Sequence, residues 1–102
     1  MSDLTHILWT CEVCGSNITP HASGCVGIPF RELSARTGAL RWRIQHNHCI
    51  DPDWDVYGFD LDQLDDPRKV LGITAHLMSK TWFGQSTWRG ILMHLSNDRW
   101  AA

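Results

Sequence analysis

The chain has 102 residues, of which 43% are hydrophobic and 20% charged, so its composition fits one small globular domain and excludes a disordered chain. Its net charge of -2 and its pI of about 6.3 exclude a nucleic-acid-binding surface that depends on overall positive charge. No stretch approaches the roughly 20 apolar residues of a membrane-spanning helix. The opening segment has Asp3 and no basic run, unlike a signal peptide, which predicts a cytoplasmic protein with reduced thiols.

The first third of the chain predicts short, irregular elements. Residues 4–10 mix β-branched and aromatic side chains, which favours a short strand. Residues 11–17 predict a tight turn in which Gly15, directly after the second cysteine, takes a positive φ. Residues 18–30 contain closely spaced glycines and prolines and predict a loop or an irregular pair of strands. Residues 31–38 predict one helical turn that ends at Gly38.

Residues 39–49 alternate apolar and polar side chains, which predicts a half-buried strand. One side of this strand consists of Leu40, Trp42, Ile44 and His46, so His46 is expected to point inward. The other side consists of Arg41, Arg43 and Gln45. Residues 51–55 predict a turn and residues 56–64 another short strand.

Two helices are predicted after the strands. Asp66 followed by Pro67 is typical of a helix N-cap and first turn, and the apolar pattern continues to about Phe83. The apolar side of this helix consists of Val70, Leu71, Ile73, Leu77, Met78 and Trp82. Ser86 or Thr87 is a candidate cap for a last helix that ends near Asn97. The apolar side of the last helix consists of Trp88, Ile91, Leu92 and Leu95.

Six tryptophans are many for a chain of this length. Because each can bury a large apolar area, we expect most of them in the core. Trp54 and Trp100, with polar or terminal neighbours, are the candidates for exposure at a partner surface.

Two pairs of residues have the spacing of zinc ligands. Cys11-x-x-Cys14-Gly15 is typical of a zinc knuckle, in which two thiolates on one tight turn meet the same ion. His46-x-x-Cys49 repeats that spacing on the distant strand. Zn²⁺ prefers four tetrahedral ligands, so Cys11, Cys14, His46 and Cys49 together predict a structural zinc site. His48 or Cys25 is an alternative ligand, and so is His21.

The order of elements predicts an α+β fold, with short antiparallel strands followed by two C-terminal helices and stapled by zinc. The chain is interpreted as a single domain, 1–102, with a zinc and strand part at about 4–64 and a helical part at about 66–98. Because a four-ligand site leaves no open position for a substrate, the leading interpretation is a non-enzymatic, zinc-binding interaction protein with a protein partner.

The knuckle and the strand that follows resemble the treble-clef zinc fingers. Within that group, "QHNHC" and "AHLMSK" resemble segments of HNH and endonuclease VII-like nucleases. That resemblance implies metal-dependent phosphodiester hydrolysis, with His46 or His48 as a metal ligand or the general base, His76 as the second metal ligand and Lys80 near the phosphate. Gln45 and Ala75 stand where those nucleases usually have an aspartate and a cysteine.

The whole chain is also similar to small zinc-binding proteins of unassigned activity from actinobacteria and their phages. That resemblance implies a compact accessory domain that acts by binding, and a phage-encoded copy would act on a host protein. A third interpretation is a nucleic-acid-binding zinc domain, in which a local basic region supplies the phosphate contacts. That region consists of Arg31, Arg36, Arg41 and Arg43.

Overall fold

A computed structural model of the chain describes residues 4–35, 40–51 and 55–100, and of residues 97–100 the backbone only. A three-stranded antiparallel sheet is followed by two helices, which confirms the α+β class. The strands are β1 (Gly24–Pro29), β2 (Arg43–His46) and β3 (Val56–Asp60), in the order β2-β1-β3. The helices are α1 (Phe30–Ala35), α2 (Pro67–Met78) and α3 (Trp88–Trp100). Within the described residues, no helix is long and apolar enough to cross a membrane.

The central strand β1 occupies the segment in which the sequence predicted a loop or an irregular strand pair. Val26 of β1 lies opposite Ile44 of β2 and opposite Phe59 of β3. Glycine makes this close pairing possible, because a Cβ added to Gly58 would collide with the backbone carbonyl oxygen of Val26. Pro29 is tolerated because it is the last residue of the strand. The glycines of this region therefore serve close strand packing as well as turns.

The strand predicted for residues 4–10 is wrong. This segment contains a turn, and of its residues only Thr10 forms a β-bridge, with Asn17. Its buried residues are Leu4, Ile7 and Trp9, a spacing that does not alternate as a strand would. The Leu4 N–H donates to the Asp65 carbonyl at 2.7 Å, so the segment attaches to the region before α2 rather than to a sheet.

The strand predicted from alternation at 39–49 is confirmed in β2, which is shorter. The inward side is buried as expected: Leu40, Trp42, Ile44 and His46. The predicted strand 56–64 ends at Asp60, and a 3-10 turn, Leu61–Asp65, follows and buries Leu61 and Leu64. Two predictions lie outside the described residues: the helix end at Gly38 and most of the turn at 51–55, which includes Trp54.

Helix α2 begins as predicted and ends earlier. The Asp66 carboxylate accepts a hydrogen bond from the Arg68 N–H at 2.9 Å, and Pro67 opens the first turn. The helix ends at Met78 rather than near Phe83, because the chain turns there and buries Trp82 against the sheet side. The ring centroids of Trp82 and Tyr57 are 5.6 Å apart. Aromatic packing therefore determines the end of α2.

The core is built around Trp42. Its ring lies 5.0 Å from that of Trp88 and 6.1 Å from that of Trp82, measured between centroids. Trp88 opens α3, where the Ser86 hydroxyl accepts its N–H at 3.4 Å, and its Nε1–H donates to the Thr74 hydroxyl of α2 at 2.9 Å. The core role of the tryptophans is confirmed for the four whose side chains are described: Trp9, Trp42, Trp82 and Trp88. The side chain of Trp100 lies outside the described part of the chain.

Candidate metal centre

The first pair of candidate ligands, Cys11 and Cys14, lies on a tight turn. The Cys11 N–H donates to the Ser16 carbonyl and the Gly15 N–H donates to the Cys11 carbonyl, both at 2.9 Å. Gly15 has a φ of 78°, which confirms the predicted positive value. Left-handed backbone is readily adopted by glycine, so this residue lets the chain reverse directly after Cys14.

The second pair lies where β2 ends. His46 is the last residue of β2, and Cys49 ends the 3-10 turn Asn47–Cys49 that follows. The sheet positions this pair because Gly24 of β1 lies opposite His46. The Sγ of Cys11 accepts a hydrogen bond from the His46 N–H at 3.4 Å, so the two ligand pairs also contact each other through the backbone.

Glu12, inside the Cys-x-x-Cys sequence, fastens the knuckle to β2. The Glu12 N–H donates to the Ile44 carbonyl at 2.9 Å, and the Glu12 carboxylate accepts the Ile44 N–H at 2.7 Å. The other carboxylate oxygen pairs with Arg41. The sequence pattern did not indicate that Glu12 belongs to the site. The available signal was an acidic residue between two cysteines in a chain that also contains an arginine-rich strand.

Four potential ligand atoms converge at this place. Those of Cys11, Cys14, His46 and Cys49 all lie within 4.8 Å of one another. Nδ1 of His46 is 3.4 Å from Sγ of Cys14 and 4.0 Å from Sγ of Cys49. A tetrahedron with Zn–S and Zn–N bonds of about 2.3 and 2.0 Å has edges of roughly 3.5–3.8 Å, so the spacing fits an ion of this size. The set is a Cys₃His cluster, and its thiolate-rich chemistry favours zinc.

The surroundings of Cys11 favour its thiolate form. Burial alone would raise the pKa of the Cys11 thiol, but the N–H groups of Cys14, His46 and Val13 offset this and lower the pKa to about 6. The Val13 N–H lies 3.4 Å from the sulfur. The backbone N–H of Ser16 chiefly lowers the pKa of Cys14. The backbone N–H groups of the knuckle therefore stabilise negative charge on the sulfur atoms of Cys11 and Cys14.

The neighbouring Cys11 and Cys14 raise the pKa of both members of the other pair, His46 and Cys49. Burial, together with the neighbouring Cys11 and Cys14, raises the pKa of Cys49 to about 11. Contact with Cys11 chiefly raises the pKa of His46. Three thiolates in so small a volume repel one another, and a divalent cation at their centre removes this repulsion. A cation that binds here has to displace the proton of Cys49.

The structure distinguishes His46 from His48. His46 is buried in the cluster, whereas His48 is exposed and stacks on it, with ring centroids 4.8 Å apart and planes inclined by 25°. Cys25 lies outside the cluster, on the face of β1 opposite to Val26, and burial chiefly raises the pKa of its thiol. His21 is engaged elsewhere, 2.5 Å from an Asp65 carboxylate oxygen.

The residues of the nuclease interpretation do not form a second metal cluster. His76 is exposed on α2, and Lys80 lies beyond the end of that helix with its Nζ 5.8 Å from the Tyr57 ring centroid. Among the described side chains, the Cys₃His group alone brings three or more His, Cys, Asp or Glu residues close enough to share an ion.

Comparison of the chain with protein-family models, with curated proteins and with solved structures found no match. The resemblances to treble-clef domains, to HNH nucleases and to actinobacterial zinc-binding proteins thus remain predictions from sequence. The described residues form a small α+β domain with a Cys₃His cluster consistent with a zinc site.

Proposed function

We propose that this chain is a non-enzymatic interaction domain that binds a partner protein and is held together by one structural Zn²⁺ on Cys11, Cys14, His46 and Cys49. The observation that carries the proposal is the closed Cys₃His cluster. Four protein ligands complete the tetrahedral coordination of zinc, which leaves no position for a substrate or a nucleophilic water. The ion would join the knuckle to the end of β2.

A protein partner is better supported than a nucleic acid. Arg41 pairs with Glu12, and Arg43 pairs with Glu32 of α1 at 2.8 Å, so carboxylates already neutralise two cations of the predicted basic region. A surface that binds phosphates must offer cations that are free to replace counterions. The net charge of -2 adds no general attraction for DNA or RNA.

Metal analysis of protein purified without added zinc tests the structural site. We expect about one zinc ion per chain in the wild type and loss of that ion in Cys14→Ser, because this variant removes one of the four ligands. Cys25→Ser is the matched control, since it changes a thiol outside the cluster and should retain the metal. Less than about half an equivalent in the wild type, or equal zinc content in the two variants, would contradict the proposal.

A cleavage assay separates the proposal from the nuclease alternative. Plasmid DNA incubated with the protein in Mg²⁺ or Mn²⁺ should remain intact, because the described residues hold no second metal cluster. Cleavage that disappears in His48→Ala or His76→Ala, while the fold and zinc content are retained, would establish the nuclease instead. Binding of DNA that weakens steeply with salt would favour the nucleic-acid-binding alternative.

A further inference from the structure

Helices α2 and α3 leave an apolar groove between them. Its cavity volume is about 300 Å³, and its lining combines the N-terminal segment with both helices: Leu4, Pro67, Val70, Leu71, Leu92 and Leu95, with Ser96 at one end. The beginning of α2 meets the end of α3 here, whereas Thr74 of α2 contacts Trp88 at the start of α3. The two helices are therefore antiparallel, and the groove runs along their shared side.

The chain leaves part of the apolar surface of α2 uncovered. The sequence pattern assigned Leu71 and Met78 to the apolar side of the helix, yet 71% of Leu71 and 65% of Met78 are exposed. Ala75 is exposed between them, and the spacing i, i+4, i+7 places all three on one side of the helix. Exposed apolar surface that continues into a groove is typical of a binding site.

Positive charge flanks the groove on both helices. Arg68 lies one turn before Leu71 on α2, and Arg89 lies one turn before Leu92 on α3, so each arginine neighbours a groove leucine. Because the helices are antiparallel, the two arginines lie toward opposite ends of the groove. Both are exposed, and neither forms an ion pair with an acidic side chain in the part of the chain that the structure describes.

The acidic residues nearest to Arg68 in the sequence already have partners. Asp66 caps α2 through the Arg68 N–H, and Asp65 contacts His21 at 2.5 Å. The groove thus presents an apolar floor with cations beside it. Charge complementarity favours an occupant that is apolar on one side and acidic next to that side.

We propose that this groove binds an amphipathic helix of a partner protein, with the apolar face of that helix against Leu71 and Leu92 and its Asp or Glu residues beside Arg68 and Arg89. The inference rests on the proposed function as a protein-binding domain and names the surface that it uses. A cavity of about 300 Å³ is at the small end for a site that encloses a ligand, and it suits anchor side chains of a larger partner.

A second copy of the chain fits this surface less well. A twofold-symmetric contact through the groove would bring Arg68 and Arg89 of both copies into one interface. Like charges placed together oppose association, and none of the described residues that line the groove carries a carboxylate to compensate.

Two displayed libraries of helical peptides, each about 16 residues or roughly 24 Å long, provide the probe. The libraries share the same apolar positions and carry either glutamate or lysine beside the apolar face. We expect the protein to enrich glutamate peptides. The dissociation constant of the best synthetic peptide should rise by about tenfold or more in Leu71→Ser and in Arg68→Glu, and the affinity should weaken with salt.

Matched controls come from residues off the groove. Leu8 is 69% exposed, so Leu8→Ser makes the same kind of change as Leu71→Ser away from the groove. Lys69 is exposed and follows Arg68, but it lies about 100° further around the helix, away from Leu71. Both Leu8→Ser and Lys69→Glu should leave the peptide affinity within about twofold of wild type.

Equal enrichment of the two libraries, or peptides whose affinity the groove variants do not change, would overturn the inference. So would a dimer in solution that Leu71→Ser dissociates, because the occupant would then be a second copy. Thermal melts verify that each exposed-site variant stays folded. Another outcome is a partner protein that binds in a zinc-dependent way with an affinity that the groove variants do not change. That result would exclude the groove as the binding site and leave the proposed function intact. Loss of the structural zinc proposal alone would not alter peptide binding by the groove.

Discussion

The rings of His46 and His48 lie in contact, and the backbone between them decides which one reaches the cysteines. β2 ends at His46, so this side chain keeps the inward direction of the strand, and the chain then enters a 3-10 turn. In an extended strand, His48 would share the inward side by period two. The turn removes that equivalence and leaves His48 exposed.

The difference between the two histidines is testable. His46→Ala should abolish stoichiometric zinc binding, because it removes one of the four ligands. His48→Ala should retain about one equivalent of zinc. Its zinc affinity should decrease by at most about 10- to 100-fold, as expected for a residue that contacts a ligand and not the ion. Competition with a chromophoric chelator measures both. Loss of the metal in His48→Ala with retention in His46→Ala would reverse the assignment.

The protonation states of the thiols predict a pH dependence of zinc binding. Cys49, with a pKa of about 11, is protonated at neutral pH, whereas Cys11, with a pKa of about 6, is mainly a thiolate. Zinc must displace the proton of Cys49, so the affinity for zinc should rise as the pH increases from about 6 to 8. Below about pH 6, where Cys11 is also protonated, the affinity should decrease more steeply. Titration calorimetry in buffers of different ionisation enthalpy counts the released protons. A pH-independent affinity would contradict this charge distribution.

At the scale of elements, glycines have opposite roles in β3 and α2. A Cβ on Gly58 would meet the backbone of β1, whereas a Cβ on Gly72 would meet nothing within 4 Å. Gly58→Ala should therefore force β1 and β3 apart. We expect the free energy of unfolding to decrease by about 4 kcal/mol, which is at the upper end of single-residue effects. Gly72→Ala should raise it by about 0.5–1 kcal/mol, because alanine favours helix.

Chemical denaturation of the zinc-loaded proteins measures both glycine variants. Gly90→Ala on α3, which also has open space around it, is a second control expected to behave as Gly72→Ala does. Similar losses in Gly58→Ala and Gly72→Ala would indicate that β1 and β3 are not packed as closely as described.

The sequence predicted those elements whose pattern is local and periodic. The Asp66 cap, the alternation up to His46 and the two ligand pairs depend on neighbours within a few residues, and the structure confirms the cap and the alternation and brings the pairs together. Elements that depend on distant partners were predicted less well. β1 is the central strand because it pairs with β2 and with β3, and Gly58 allows the close approach of β3. Trp82, which ends α2 early, packs against Tyr57. Both features depend on residues far away in the sequence.

At the scale of the whole molecule, a domain of 102 residues has limited surface to bury and a stability of about 5–15 kcal/mol. A structural zinc site contributes on the order of 10 kcal/mol of apparent binding energy, which is comparable with the total. Removal of zinc with a chelator should therefore lower the thermal midpoint by roughly 20 °C or more, since each kcal/mol corresponds to about 4–8 °C.

Circular dichroism melts before and after chelation check the role of zinc in stability, and readdition of Zn²⁺ should restore the midpoint. Mg²⁺ is the matched control, because a thiolate-rich site does not select it. An unchanged midpoint after complete removal of zinc would show that the packed aromatic core, rather than the ion, stabilises the fold.

The exposure of the four ligands is unequal, and this has a kinetic consequence. Cys11 and His46 are buried, whereas Cys14 faces solvent at the edge of the knuckle. Cys49 is partly buried, so Cys14 is the most accessible of the four residues. At the proposed zinc site we therefore expect an incoming chelator to displace Cys14 first. Glu12 holds the knuckle on β2 meanwhile, through hydrogen bonds that do not involve the metal. We therefore expect metal exchange at the proposed site to follow a fixed order that begins at Cys14.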